Sequence, residues 1–274
     1  MDGILAQNEA LVRAGTFFGL LALMGLWETL APRRRLVAAR GFRWLNNLAL
    51  VVVDTLALRL IFPLLAVAFA EVALAHGWGL FNMVTAPSWV AALVSFFALD
   101  LVIYFQHRLF HRVPLLWRLH MVHHADPDID ATTGVRFHPI EIGLSMLIKF
   151  AAIAILGAPA LAVMLFEIVL NGTAVFNHAN VRLPAPIDRV LRLLVVTPDM
   201  HRVHHSVIVR ETNSNFGFNF PWWDRLFGTY RAQPQAGHEA MTIGLTQYQD
   251  QRRQGLWWML ALPFSGRPGA YPAN

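Results

Sequence analysis

Residues 142–172 read IGLSMLIKFAAIAILGAPALAVMLFEIVLNG, an apolar run interrupted by charge only at Lys149 and Glu167. Crossing a hydrocarbon layer takes roughly 20 helical residues, so this stretch is too long for one ordinary crossing. Gly157-Ala158-Pro159 breaks it near the middle, which predicts a helical hairpin that enters and leaves by the same membrane face.

Histidines crowd the sequence on both sides of that hairpin. Upstream lie HRLFH (107–111), HMVHH (120–124) and RFHPIE (136–141); downstream lie NHANVRLP (177–184) and PDMHRVHH (198–205). If the hairpin returns to its starting face, all of these segments gather on one side of the membrane.

The whole chain agrees with a membrane setting. Of its 274 residues, 56% are hydrophobic and 14% charged, and the mean hydropathy is +0.45, far more apolar than a soluble domain. It contains no cysteine, which excludes disulfides, zinc ribbons, iron–sulfur clusters and thiol catalysis. The net charge of +5 and pI near 10.4 could indicate nucleic acid, but the arginines flank apolar runs rather than forming a basic groove. They read as topology signals, and no nucleic-acid partner is expected.

AGTFFGLLALMGLWETLA (14–31) runs directly into PRRRLVAARGFR (32–43), an arginine cluster of the kind retained in the cytoplasm. The positive charges follow the apolar run, which argues for an uncleaved span rather than a secretory signal, with the N-terminus outside. Val51 to Ala75 holds Asp54, Arg59, Pro63 and Glu71 and predicts an imperfect span, kinked or partly interfacial. A return span from about Trp89 to Phe105 carries HRLFHR to the cytoplasmic side. The expected fold is an all-α integral membrane protein, with four to five membrane-embedded helical segments capped by a cytosolic histidine-rich helical region. The expected organisation is an N-terminal span and basic linker (1–50), a histidine-bearing membrane domain (51–235) and an interfacial tail (236–274).

On a helix, residues three and four apart share a face, so His107 and His111 project together, as do His120, His123 and His124, and His201, His204 and His205. Clustered imidazoles lack hydrogen-bond partners when neutral and repel when protonated; a metal resolves both problems. His178 ends the hairpin beside the clusters and joins the candidate ligands. His138 is open between ligand and ordinary histidine, and His76 and His238 stand apart. A zinc ion uses about four protein ligands or fewer, so this many histidines imply two ions. Imidazole suits iron, zinc, copper and nickel, which leaves the element open.

These motifs, with NSNFGFNFPWWDRLFGTY (213–230), in this order and spacing, resemble the fatty acid hydroxylase superfamily, in particular its bacterial sterol-desaturase-like members. The resemblance runs from about Val51 to about Gln233 and implies a non-haem di-iron oxygenase. Such an enzyme uses O2 and two electrons to hydroxylate or desaturate an unactivated carbon of a membrane lipid, sterol-like or fatty acyl. It implies His107, His111, His120, His123, His124, His201, His204 and His205 as iron ligands, with His178 and His138 as further members. Electrons would come from an external donor protein. The expected location is the bacterial inner membrane, with the metals on the cytoplasmic side.

Three polar residues are candidates for supporting roles. Asp100 lies seven residues before His107, where its carboxylate could orient a ligand or pair with an arginine. Asn215 could reach a metal through water or cap a turn, and Asp199 could cap the helix bearing His201 or orient a ligand there. Trp222, Trp223, Trp257 and Trp258 read as interfacial anchors. Two other functions compete: a membrane zinc metallohydrolase, disfavoured because no glutamate base is evident beside the histidines, and a metal transporter or sensor, disfavoured because the histidines fall outside the spans.

Overall fold

The computed structural model describes residues 8–250 and 253–270; the extreme ends of the N-terminal segment and of the C-terminal tail fall outside them. Among the described residues there is no strand, only two isolated bridges, Pro32 to Val181 and Ser206 to Ile243. The helices that matter for the site are α1 (Glu9–Leu30), α2 (Arg40–Ile61), α3 (Ala66–Ala75), α4 (Ser88–Arg112), α5 (Pro114–His124), α6 (Pro139–Leu156), α7 (Ala160–His178), α8 (Pro198–His204) and α9 (Leu256–Ser265). Five stretches among the described residues are long and apolar enough to cross a membrane: α1, the segment Arg40–Met83, α4, α6 and α7.

The predicted breaks occur where the chemistry of the backbone requires them. Pro63 has no N–H and forces Phe62 out of the helical region (φ −110°, ψ 112°), so α2 ends and α3 starts afresh. Gly157 closes α6 in the left-handed conformation (φ 64°, ψ 43°), and the chain turns there into α7 as expected, with both arms of the hairpin packed on α3 and α4 more than on each other. A second left-handed glycine, Gly79 (φ 90°), packs on this turn so closely that a Cβ there would sit 2.1 Å from the Gly157 nitrogen. Backbone meets backbone at the membrane end remote from the histidines.

Packing inside the spans depends on small residues. Ala66, Ala70 and Ala73 of α3 recur at helical spacing and are buried against α6 and α7, where the lack of bulk lets helices approach. Phe166, Ile153 and Met164 fill the same core, and Phe69 stacks on Phe150 with ring centroids 4.4 Å apart. Outward-facing apolar side chains such as Leu60 (85% exposed), Leu11 (73%) and Ile155 (72%) make a surface suited to lipid.

At the histidine end, α9 packs on α5 through Trp117, Met121, Met259 and Leu262. The segment after α9 is tied back by Trp117 Nε1 donating to the Pro268 carbonyl (3.2 Å) and by Arg118 donating to the carbonyls of Pro263 (2.9 Å) and Gly266 (3.0 Å).

The charges of the basic linker also have partners inside the fold. The basic linker is more than a topology signal, because its arginines hold the histidine end together. Arg43 is fully buried and grips Asp126 through two 2.7 Å bonds and Asp130 through one of 2.5 Å. Asp128 accepts from the backbone N–H groups of Val37 and Ala38, and Arg33 pairs with Asp199 at 3.2 Å. Arg136 and Arg202 are buried as well. The ADPDID segment after HMVHH supplies the carboxylates for Arg43 and Arg136, and Asp199 supplies that for Arg33 and Arg202.

Candidate metal centre

Each histidine segment is a helix end or helix face aimed at the same volume. α4 ends with His107 and His111 on one face, and Pro114 starts α5 two residues later, since proline fits a first helical turn that has no N–H to lose. α5 then carries HMVHH, α7 ends at His178, and Pro198 opens α8, which carries HRVHH.

The imidazoles fall into two sets, each with ligand atoms within 4.8 Å of one another: His107, His111, His120, His124 and His204 in the first, His123, His178, His201 and His205 in the second. All nine are buried. The two HxxHH motifs are exchanged between the sets. HMVHH gives its i, i+4 pair (His120, His124) to the first and His123 to the second; HRVHH gives its i, i+4 pair (His201, His205) to the second and His204 to the first. The sets adjoin, with the rings of His124 and His205 stacked at 4.7 Å.

Hydrogen bonds fix the direction of the lone pairs in the first set. Nδ1 of His107 donates to the Phe216 carbonyl (2.8 Å), Nδ1 of His204 to the Ser214 carbonyl (2.8 Å), Nδ1 of His111 to Asn213 Oδ1 (3.3 Å) and Nδ1 of His120 to Glu141 Oε1 (2.6 Å). A proton held on Nδ1 leaves Nε2 as the lone pair, and in all four residues Nε2 is buried without a protein partner. In the second set, His178 Nδ1 donates to the Ala174 carbonyl (2.7 Å), while its Nε2 faces Nε2 of His201 at 3.0 Å and of His123 at 3.2 Å. Three inward nitrogens at this separation require a shared cation or proton. His123 is held flat against Phe137, rings 4.6 Å apart.

Electrostatics favours the neutral, ligating form. Burial, reinforced by repulsion between imidazoles, holds His123, His124, His201, His204 and His205 well below the ordinary 6.5, and burial pushes His120 down to about 3. Neutral imidazoles with orphaned, convergent lone pairs fit two metal ions, as the fold leaves no protein group to satisfy them.

Other candidates occupy different places. His138 lies outside both sets: it caps α6 by accepting from the Ile140 N–H at 3.2 Å, and its Nε2 meets the Leu260 carbonyl at 3.2 Å. Asp100 accepts from Trp223 Nε1 at 2.7 Å instead of from a histidine, so Trp223 is a structural partner rather than a free anchor. Asn215, left-handed at φ 52°, spends its amide on the carbonyls of Met200 and Arg231 and the Arg231 N–H, which staples a turn. Asp199 sits inside α8, where Thr197 is the cap, and pairs with Arg33 and Arg202.

The sequence reading missed two orienting elements. Glu141 does accompany the histidines, contrary to the expectation of no nearby glutamate, and its place in HPIE beside His138 was the available signal. The NSNFGF segment acts through its oxygens: Asn213, Ser214 and Phe216 each receive a histidine N–H. Asp224 holds that segment by accepting from the N–H groups of Phe216 and Gly217, both at 2.8 Å.

His107 and His120 also line a cavity of about 770 Å³ whose other walls include Ile103, Phe110, Leu170 and Phe218. The first set therefore faces a space large enough for a lipid chain.

Comparison with known proteins agrees with this geometry. Residues 92–229, half of the chain, match the family model described as fatty acid hydroxylase. An ornithine lipid hydroxylase of Rhizobium tropici is 28% identical over 262 residues, covering 91% of this chain and 74% of that protein. Alkylglycerol monooxygenase of Homo sapiens is 26% identical over 177 residues, 62% of this chain and 36% of its own length. A very-long-chain aldehyde decarbonylase of Oryza sativa subsp. indica is 31% identical over 167 residues, 58% of this chain and 26% of its own. The chain thus spans only a quarter to about a third of the last two relatives. No solved structure matches. The family match spans α4 to the end of the NSNFGF region and so includes every histidine of both sets: the chain belongs to the fatty acid hydroxylase family.

Proposed function

We propose that this protein is a membrane-embedded, O2-dependent di-iron oxidoreductase that hydroxylates or desaturates an unactivated carbon of a lipid. One observation carries the reading: two adjoining sets of buried imidazoles, one of which opens on a largely apolar cavity among membrane-length helices. Relatives named as lipid hydroxylase and alkylglycerol monooxygenase support it.

An aliphatic C–H bond has no acidic proton, so none of the side chains here opens it by acid–base catalysis. When bound, a pair of iron ions would activate O2, the oxidant; with two electrons and two protons, hydroxylation places one oxygen atom in the lipid and releases the other as water, and desaturation releases both as water. The protein's own contribution is placement. Glu141, Asn213 and the carbonyls of Ser214 and Phe216 fix ring tautomers; the apolar walls hold a chain beside His107 and His120 and keep bulk water away.

The arginines at 33–35 and 40, next to the histidine end, support a cytoplasmic position for the centre, in the inner membrane of a bacterium. Reducing equivalents would then come from a cytoplasmic donor protein.

The test is elemental analysis of detergent-purified protein with O2 uptake and lipid mass spectrometry. About two irons per chain, with O2 consumption coupled to an oxidised lipid and both lost in His123→Ala/His204→Ala, is the expected result. Zinc that survives iron reconstitution, with lipid cleavage and no O2 uptake, would establish the hydrolase instead.

A further inference from the structure

The cavity is not uniformly apolar, and its polar atoms are unequally partnered. Arg13 pairs with Glu9 at 2.9 Å and Glu167 at 2.8 Å, and Lys149 pairs with Glu167 as well, so these two cations and their carboxylates satisfy one another. On the wall shared by α2, α4 and the start of α6, three acceptors have no donor. These are Asp54 Oδ1, Gln106 Oε1 and Glu141 Oε2, all lining the cavity together with His107 and His120.

Asp54 is the most informative of the three. It is only 7% exposed, sits on a membrane-length helix, and forms no ion pair with Arg59 or any other cation among the described residues. Glu141 lines the same cavity and has one oxygen committed to His120. Gln106 uses its amide N–H on Ser145 at 3.1 Å, leaving the carbonyl oxygen free. A buried carboxyl that faces an open cavity without a donor costs stability unless something entering the cavity supplies one.

We propose that Asp54, with Gln106 and the free oxygen of Glu141, forms an accepting subsite that holds a hydrogen-bond donor of the lipid, a hydroxyl or an ammonium group. This rests on the reading of the cavity as the lipid site. A substrate anchored here has its polar group in the cavity that His107 and His120 line, beside Glu141, whose other oxygen bonds His120. The carbon presented to the histidines is then one near the donor, and the rest of the chain lies along the apolar wall. The substrate class is an amphiphile with a donor near the oxidised position, as opposed to a bare hydrocarbon chain or an ether without a free hydroxyl.

Binding can be read without turnover. Full-length protein in detergent micelles is titrated with dodecylamine, 1-dodecanol and 1-methoxydodecane at matched mole fractions, and apparent affinity is taken from the shift in melting temperature. The two donor probes should bind at least about 10-fold more tightly than the methyl ether, the effect of one good buried hydrogen bond. Asp54→Asn should abolish the advantage of the ammonium and keep most of that of the alcohol; Asp54→Leu should remove both. If Asp54→Leu does not fold, the near-isosteric Asp54→Asn decides through the ammonium probe. Equal affinity for all three probes, or donor preference unchanged in Asp54→Asn and Asp54→Leu, would overturn the subsite. In the former case, if Ala68→Trp blocks binding by narrowing the cavity, the lipid site itself stands. Failure of every probe to bind would overturn both.

Discussion

Glu141 Oε1 accepts the Nδ1 proton of His120 at 2.6 Å, so a carboxylate at the start of α6 sets the ring of a histidine on α5. A ligand fixed in this way is a better donor and loses less freedom on binding metal. Glu141→Ala should weaken metal retention in the first set about 10- to 100-fold. Glu141→Gln, which keeps an accepting oxygen, should fall between it and wild type. Chelator competition followed by elemental analysis checks the order.

The sets differ in size, five imidazoles against four. Removing one ligand from the smaller set leaves three, and removing one from the larger leaves the four that a closed site uses. Under chelator challenge His178→Ala should therefore lose more metal than His107→Ala, up to about half of the total. Equal losses in the two variants would contradict the division into sets.

Acid should destabilise the metal-free protein early. The folded state holds His123, His124, His201, His204 and His205 well below 6.5, and His120 at about 3, whereas the unfolded chain titrates near the ordinary value. Between those limits the unfolded state binds more protons, so this contribution to stability is complete above 6.5 and declines as pH falls. Each histidine contributes up to about 1.4 kcal/mol per pH unit in that window. Melting temperature measured from pH 7.5 to 5 should drop, and added metal should flatten the drop by competing with protons.

Arg43 neutralises Asp126 and Asp130 where none of the three is exposed. Arg43→Met strands two buried carboxylates and should cost about 3–5 kcal/mol, enough to abolish folding in a marginal membrane protein. Arg43→Met combined with Asp126→Asn and Asp130→Asn should recover part of that loss, which thermal unfolding of the set of variants would reveal.

His138 separates capping from ligation. His138→Ala removes an N-cap worth about 0.5–2 kcal/mol, and because the ring stands outside both sets, metal content should remain at the wild-type level. Loss of an ion in that variant would return His138 to the ligands.

Much of this architecture can be read directly from residue order. Gly157-Ala158-Pro159 marks the hairpin turn because glycine and proline act on the backbone itself. The spacing in HxxxH and HxxHH gives shared helix faces for the same local reason. The exchange of His123 and His204 between the sets is not legible, because adjacent residues on a helix diverge and their partners depend on how α5 and α8 are turned against each other. The roles of Glu141 and the NSNFGF carbonyls were hidden for a related reason: they act across distant segments, and a backbone carbonyl leaves no mark in a sequence. Asp100 misled in the opposite way, since a position two turns below His107 on α4 points equally well to Trp223.

Nine imidazoles from α4, α5, α7 and the α8 turn occupy the place where an ordinary domain would put hydrophobic side chains. Ions held by them would cross-link the bundle as well as serve it, and part of the folding free energy would then be supplied from outside the chain. On the di-iron reading, a cell short of iron would hold this protein in its least stable form, exposed to membrane proteases during each excursion from the folded state.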